Sequence, residues 1–254
     1  MSYNDFSSRP VSGTDSAVDA GLQSYMRLVF NTMGIGLVVT GLVAFGLANT
    51  PALFAAIFGS PLKWVALLAP VAFLWIGFSP RNIMRTDGSI VRMDSRIMRM
   101  DSARARMLFY VFSGTMGISL AALFHIFSGE SIARAFFISA AMFAGTSLYG
   151  YTTKRDLTGM GSFLMMGLFG LIFASVINLF IGSSAVQFVV SVIGVFVFTG
   201  LTAFDVQRLK EIYYTGAGYA DANAKMAVLG ALSLYMNFIN LFQMILQFTG
   251  SQRD

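Results

Sequence analysis

The fold class this sequence predicts is an all-α integral membrane protein with seven transmembrane helices, and three observations predict it. Of 254 residues, 56% are hydrophobic and only 11% charged, where soluble domains carry roughly 25% charged residues. Mean hydropathy is +0.70. Apolar runs recur seven times along the chain, separated by charges, Gly or Pro, and each approaches the roughly 20 residues that a helix needs to cross a hydrocarbon core of about 30 Å.

Residues 1–25 are polar and rich in Ser, Asp and Gly, with no apolar core and no small-residue cleavage site. They read as a disordered cytoplasmic tail rather than a signal peptide. A transmembrane domain over 26–250 follows, with apolar runs at 28–48, 63–79, 107–128, 133–152, 162–182, 187–205 and 227–249. The second run is short and holds Pro70 with Trp64 and Trp75, residue types tolerated or enriched near membrane interfaces. The stretch 52–58 is too brief to cross and reads as an external interfacial loop. On the third span Ser113, Gly117 and Ala121 repeat every four residues, and Ala140/Ala144 with Ala141/Gly145 do so on the fourth. Such small residues let helices approach closely, so both spans are expected to face other helices there. The abundant Phe and Met are read as lipid-facing and gap-filling residues.

Orientation follows from the basic residues. Assigning the tail and every second loop to one side gives that side fourteen Lys and Arg, and leaves the other only Lys63, Arg134 and Arg253. The rich side is cytoplasmic by the positive-inside rule, so the N-terminus is expected inside and the C-terminus outside. The same asymmetry accounts for the pI of 9.6 without nucleic acid. Zero Cys and the single His125 argue against disulfides, a thiol nucleophile, and thiolate or multi-histidine metal sites. No phosphate loop, dinucleotide fingerprint or zinc-protease motif occurs. The expectation is therefore no enzyme, no resident metal and no cofactor; the bilayer itself is the first partner.

A charged side chain deep in a membrane helix costs about 2.5–3.5 kcal/mol on insertion scales, so each survivor asks for a reason. Asp205 lies at the inner end of the sixth span, and Asn237 and Asn240 near the middle of the seventh, three apart and therefore on one face. Two readings of Asp205 stand open: a helix end pairing with Arg208 or Lys210, or a buried gate or ion ligand. His125 reads as an interfacial anchor or a satisfied polar contact, and Asn178 as a helix-to-helix hydrogen bond.

The segments SLYGYTTKRDLTGMGSFLMMGL (147–168), FTGLTAFDVQRLKEIY (198–213) and ALSLYMNFINLFQMILQ (231–247) resemble the signature blocks of the Bax inhibitor-1 (transmembrane BAX inhibitor motif) family, bacterial branch. The resemblance runs from about residue 20 to the end and is weakest at 81–106. It implies seven helices around a central last one, placement in the bacterial inner membrane, and a pH-sensitive calcium leak governed by facing aspartates on spans six and seven. It also implies an alternative, an interaction protein that modulates a membrane-bound AAA-type protease. Residue by residue, the span-six aspartate is Asp205, whereas the acid that precedes FINLF in the family is replaced here by Asn237. A proton-sharing pair of carboxylates is thereby removed, and with it the family's basis for a pH response. Arg81, closing span two on the same side, has two readings, a counter-ion for Asp205 or an ordinary topogenic arginine.

The cytoplasmic loop 80–106 carries RMDSRIM at 92–98 and RMDS again at 99–102. Drawn as a helix, Ile90, Met93, Ile97 and Met100 share one face and Arg92, Arg96 and Arg99 another. An interfacial helix on anionic lipid, a solvated loop and a docking segment all fit that pattern. The sequence thus yields a leading expectation of a cation leak gated by Asp205, Asn237 and Asn240, with Arg81 nearby.

Overall fold

The computed structural model describes residues 12–75, 100–216 and 220–251. Helices α1 (Ser12–Ala48), α2 (Pro51–Phe58), α3 (Leu62–Phe73), α4 (Ser102–Leu120), α5 (Leu123–Ile126), α6 (Gly129–Thr152), α7 (Thr158–Ile181), α8 (Ser184–Gly216) and α9 (Ala220–Thr249) make up almost all of them. Six are long and apolar enough to cross a membrane, with α4 and α5 counted as one, and the α2–α3 pair, bent by 83°, makes up to seven. Arg81, Arg92, Arg96 and Arg99 lie outside the described residues.

The helix ends follow local chemistry. Pro51 opens α2, where its missing N–H is no loss. The Ser128 hydroxyl accepts from the Ser131 N–H at 3.2 Å and caps α6. Gly182, in the left-handed conformation at φ +68°, ends α7. Asn178 belongs to that same turn: its Oδ1 accepts from the Ser183 N–H at 3.0 Å. The helix-to-helix bond expected of Asn178 is thus replaced by a bond within one turn, because the side chain sits one turn from a helix end whose following N–H needs an acceptor. His125 stacks on Phe54 of α2, ring centroids 3.6 Å apart.

Three boundaries differ from the sequence reading. The tail expected over 1–25 is shorter, because α1 begins at Ser12 and Leu22, Tyr25, Met26 and Val29 form one buried helical face. Residues 102–106 of the expected basic loop are the first turn of α4. The stretch 52–58 is a helix, folded back on α3 at the sharp bend.

Helix α9 is the axis of the bundle, packing against α1, α4, α6 and α8. Two thirds (67%) of its apolar window is buried, against 6% in α7, which packs mainly on α8. Val29, Phe109, Phe112, Val206, Tyr235 and Leu241 form the fully buried centre. Small residues set the close crossings. A Cβ on Gly117 would stand 2.7 Å from the Thr40 carbonyl oxygen, which puts the Ser113/Gly117/Ala121 stripe of α4 against α1. On α6 the buried stripe is Ser131, Ala135, Ser139, Phe143, Ser147 and Gly150. Ala141, Ala144 and Gly145 are exposed instead, since two four-residue repeats compete on that helix and the serine-bearing one must be sheltered from lipid. Large apolar side chains cover the outside, Phe180 at 88% exposure among them, as a bilayer-facing surface requires.

Candidate functional site

Asp205 sits on α8 about three turns before its end, where α8 runs antiparallel to α9. Positions 233 and 237 are one turn apart on α9 and so present their side chains to the same spot. The Ser233 hydroxyl donates to Asp205 Oδ2 at 2.6 Å, and the Asn237 Nδ2 donates to the same oxygen at 2.8 Å. A carboxylate only accepts, which fixes the Asn237 amide with its NH₂ toward Asp205. Both bonds are charge-assisted when Asp205 is ionised. Asn237 is buried and Asp205 half-buried.

Of the cations expected to hold Asp205, Lys210 and Arg208 make no ion pair with it among the described residues. Lys210 donates its ammonium to the Tyr151 carbonyl oxygen and lies 5.2 Å from the Tyr151 ring centroid. Arg208 is exposed. The side chain of Asn240, half-buried one turn further on, makes no hydrogen bond to a described residue. The structure therefore joins Asp205 to Asn237 and not to Asn240, and adds Ser233. Its signal was present in the sequence as the i−4 spacing from Asn237, but a serine is cheap in a membrane helix and did not stand out.

The other face of α9 is pinned as well. Tyr235, fully buried, donates to Thr40 Oγ1 at 2.7 Å, and the Thr40 hydroxyl is left facing the carbonyls of Gly36 and Ser113, each at 2.9 Å. Phe109 and Phe112 meet the Tyr235 ring edge-on. On α8, Gln207 reaches the turn between α6 and α7: its Oε1 accepts from the Leu157 N–H at 2.8 Å and its Nε2 donates to the Arg155 carbonyl at 2.7 Å. One turn away, Gly150 lets α6 lie against the Ala203 backbone, where a Cβ would stand 2.3 Å from the carbonyl oxygen. Among the described residues no group of three His, Asp or Glu side chains comes together. Asp205 alone, with one oxygen taken by two donors, is not a cage for a calcium ion, which takes about six to eight oxygens.

Fold and site together define a polytopic helical membrane protein whose central last helix holds a carboxylate of the preceding helix through two neutral donors. Residues 22–254 match the family described as inhibitor of apoptosis-promoting Bax1. The chain belongs to this Bax inhibitor-1 family. It is 41% identical over 266 residues to an uncharacterized protein of Caulobacter vibrioides, covering 99% of this chain and all of that one. It is 38% identical over 243 residues to the inner membrane protein YbhL of Escherichia coli, covering 94% of this chain and 97% of that one. An uncharacterized protein of Rickettsia prowazekii is 39% identical over 239 residues, 93% of each chain.

Proposed function

We propose that the protein is a cation leak pathway of the bacterial inner membrane, with its N-terminus in the cytoplasm and its gate at Asp205, Ser233 and Asn237. The observation that carries this reading is a carboxylate within a membrane-spanning helix whose described partners are a hydroxyl and an amide rather than a cation. Such a group attracts a passing cation yet holds it with one side chain only, which favours release as much as capture. Calcium is the ion that the family resemblance implies. The excess of basic residues on the side of the tail supports the orientation, and the inner-membrane relative supports the location. A reporter active only in the cytoplasm, fused after residue 254, should stay dark.

Calcium flux into proteoliposomes across a pH series tests the gate. The native protein should respond weakly to pH. Asn237→Asp places a second carboxylate where the amide now stands 2.8 Å from Asp205 Oδ2, and carboxylates that close titrate as one coupled pair. Flux through that variant should become pH-dependent, with changes of about tenfold for each 1.4 kcal/mol by which protonation biases the gate. Asp205→Asn should abolish the carboxylate-dependent part. Identical profiles in all three proteins would remove the gate. Absence of flux in any of them would favour the interaction reading, in which the protein modulates a membrane-bound AAA-type protease.

A further inference from the structure

A polar cavity lies apart from Asp205, at the bundle end where α8 ends and α9 begins. It holds roughly 520 Å³ between residues 21–31 of α1, the last turn of α8 and Asn223 and Ala224 near the start of α9, within the range of sites for small ligands. Its walls carry Ser24, Tyr25, Arg27 and Asn31 from α1, Tyr213 from α8 and Asn223 from α9.

We propose that this cavity binds a phosphate group, as the headgroup of an anionic phospholipid or as free phosphate. Among the described residues Arg27 is the only charged side chain in the wall, and it makes no ion pair with any of them. A planar guanidinium without a carboxylate partner is suited to bidentate capture of a phosphate. Tyr25 is only 5% exposed, yet its hydroxyl has no hydrogen-bond partner. A buried hydroxyl left unpaired is costly, and an entering phosphate oxygen supplies the acceptor it lacks. The Tyr213 ring lies tilted against that of Tyr25, centroids 5.4 Å apart, and stands with its own hydroxyl over Gly21, where a Cβ would be 2.1 Å from that oxygen. Glycine at 21 thus makes the place for a second phenol beside the first. The α9 wall, Asn223 and Ala224, lies near a helix start, which carries the positive end of the helix dipole. Cation, phenols, amides and helix start all suit an anion that accepts hydrogen bonds, and the height in the bundle is that of lipid headgroups on this reading of the fold.

The test uses the full chain in nanodiscs. In discs of phosphatidylcholine alone, inorganic phosphate is added and compared with chloride at equal ionic strength; in a second set, phosphatidylglycerol replaces part of the lipid. The readouts are the thermal midpoint and, after extraction, the lipid retained in native mass spectrometry. Stabilisation by inorganic phosphate assigns the site to free phosphate, and stabilisation with retained phosphatidylglycerol only assigns it to the lipid; either supports the proposal. Tyr25→Phe, which keeps the ring, and Arg27→Lys, which keeps the charge and the topology signal, should each weaken the response about tenfold. Arg155→Gln, exposed and also on the basic-rich side, should leave it intact. No response to either anion overturns the proposal, and so does a response equal in the native protein, Tyr25→Phe and Arg27→Lys, which would be general attraction to a basic surface.

Discussion

Gln207→Met removes both of the hydrogen bonds by which α8 holds the turn between α6 and α7, while nearly keeping the side-chain volume. Gln207 is 8% exposed and Leu157 5%. The Leu157 N–H, bonded at 2.8 Å to Gln207 Oε1, is left buried without an acceptor, at about 1–3 kcal/mol. The Arg155 carbonyl, bonded at 2.7 Å and only partly buried, can turn to water, so its loss costs about 0.5–1.5 kcal/mol. The sum is about 1.5–4.5 kcal/mol, with little cavity contribution because methionine fills the same space. Hydrogen exchange at the Leu157 amide reads the local effect, and the unfolding midpoint in detergent reads the global one. Exchange should accelerate at least tenfold and the midpoint should fall. An unchanged midpoint with Leu157 still protected would show that the turn is held by other contacts and that the two bonds contribute nothing net.

Gly150→Ala drives a Cβ to within 2.3 Å of the Ala203 carbonyl, a backbone atom that cannot rotate away, and should cost about 1–3 kcal/mol as α6 and α8 separate; an undiminished unfolding midpoint would contradict that contact. The Thr158 hydroxyl and N–H hold the exposed Asp156 carboxyl below its ordinary range, so its contribution is present above the model-compound value of 3.8 and is lost as the pH falls below it. In Asp156→Asn that acid-side loss should be missing from the stability profile. Ser233→Ala deletes one of the two donors on Asp205 Oδ2; a charge-assisted bond of about 1.5–3 kcal/mol is enough to raise an open population tenfold or more, and flux unchanged by the variant would detach Ser233 from the gate.

Crossing a bilayer imposes length and apolarity, so the long helices were legible from composition alone. The start of α1 was hidden because Ser12–Gly21 is polar; what extends the helix is the buried face that begins at Leu22. The α2–α3 bend was hidden because eight residues are too few to span, and length says nothing about a helix folding back beside its neighbour. At the site, Asp205 and Asn237 stood out because lipid rejects them. Ser233 did not, since a hydroxyl can bond within its own helix. Gln207, and the true partner of Lys210, escaped for a different reason: both side chains bind main-chain atoms about fifty to sixty positions away, and a carbonyl or an N–H has no residue identity that a sequence can display.

The seam between α8 and α9 decides what an opening motion can be. It is interlocked at several heights: Gly230 against Leu209, Asp205 with Ser233 and Asn237, Gly194 against Met244, and the Ser191 hydroxyl donating to Gln247 Oε1 at 3.3 Å. The far side of α9 is tied to α1 through Tyr235 and Thr40. Pulling α9 away from α8 would break all of these together, whereas rotating Asn237 and Ser233 breaks only the two bonds to Asp205. If the leak is gated here, side-chain rearrangement is the cheaper route, and a cross-link can separate the two. An ideal Cβ on Gly194 lies 3.6 Å from the Met244 Cβ, inside the roughly 3.5–4.5 Å a disulfide needs, and the chain has no other cysteine to interfere. Gly194→Cys with Met244→Cys should therefore close under oxidant into a single bridged species. Calcium flux should be the same before oxidation, after it and after reduction, because the two helices need not part. Flux that is lost on bridging and returns on reduction would show that α8 and α9 do separate, and would move the gate from the Asp205 side-chain cluster to the helix interface as a whole.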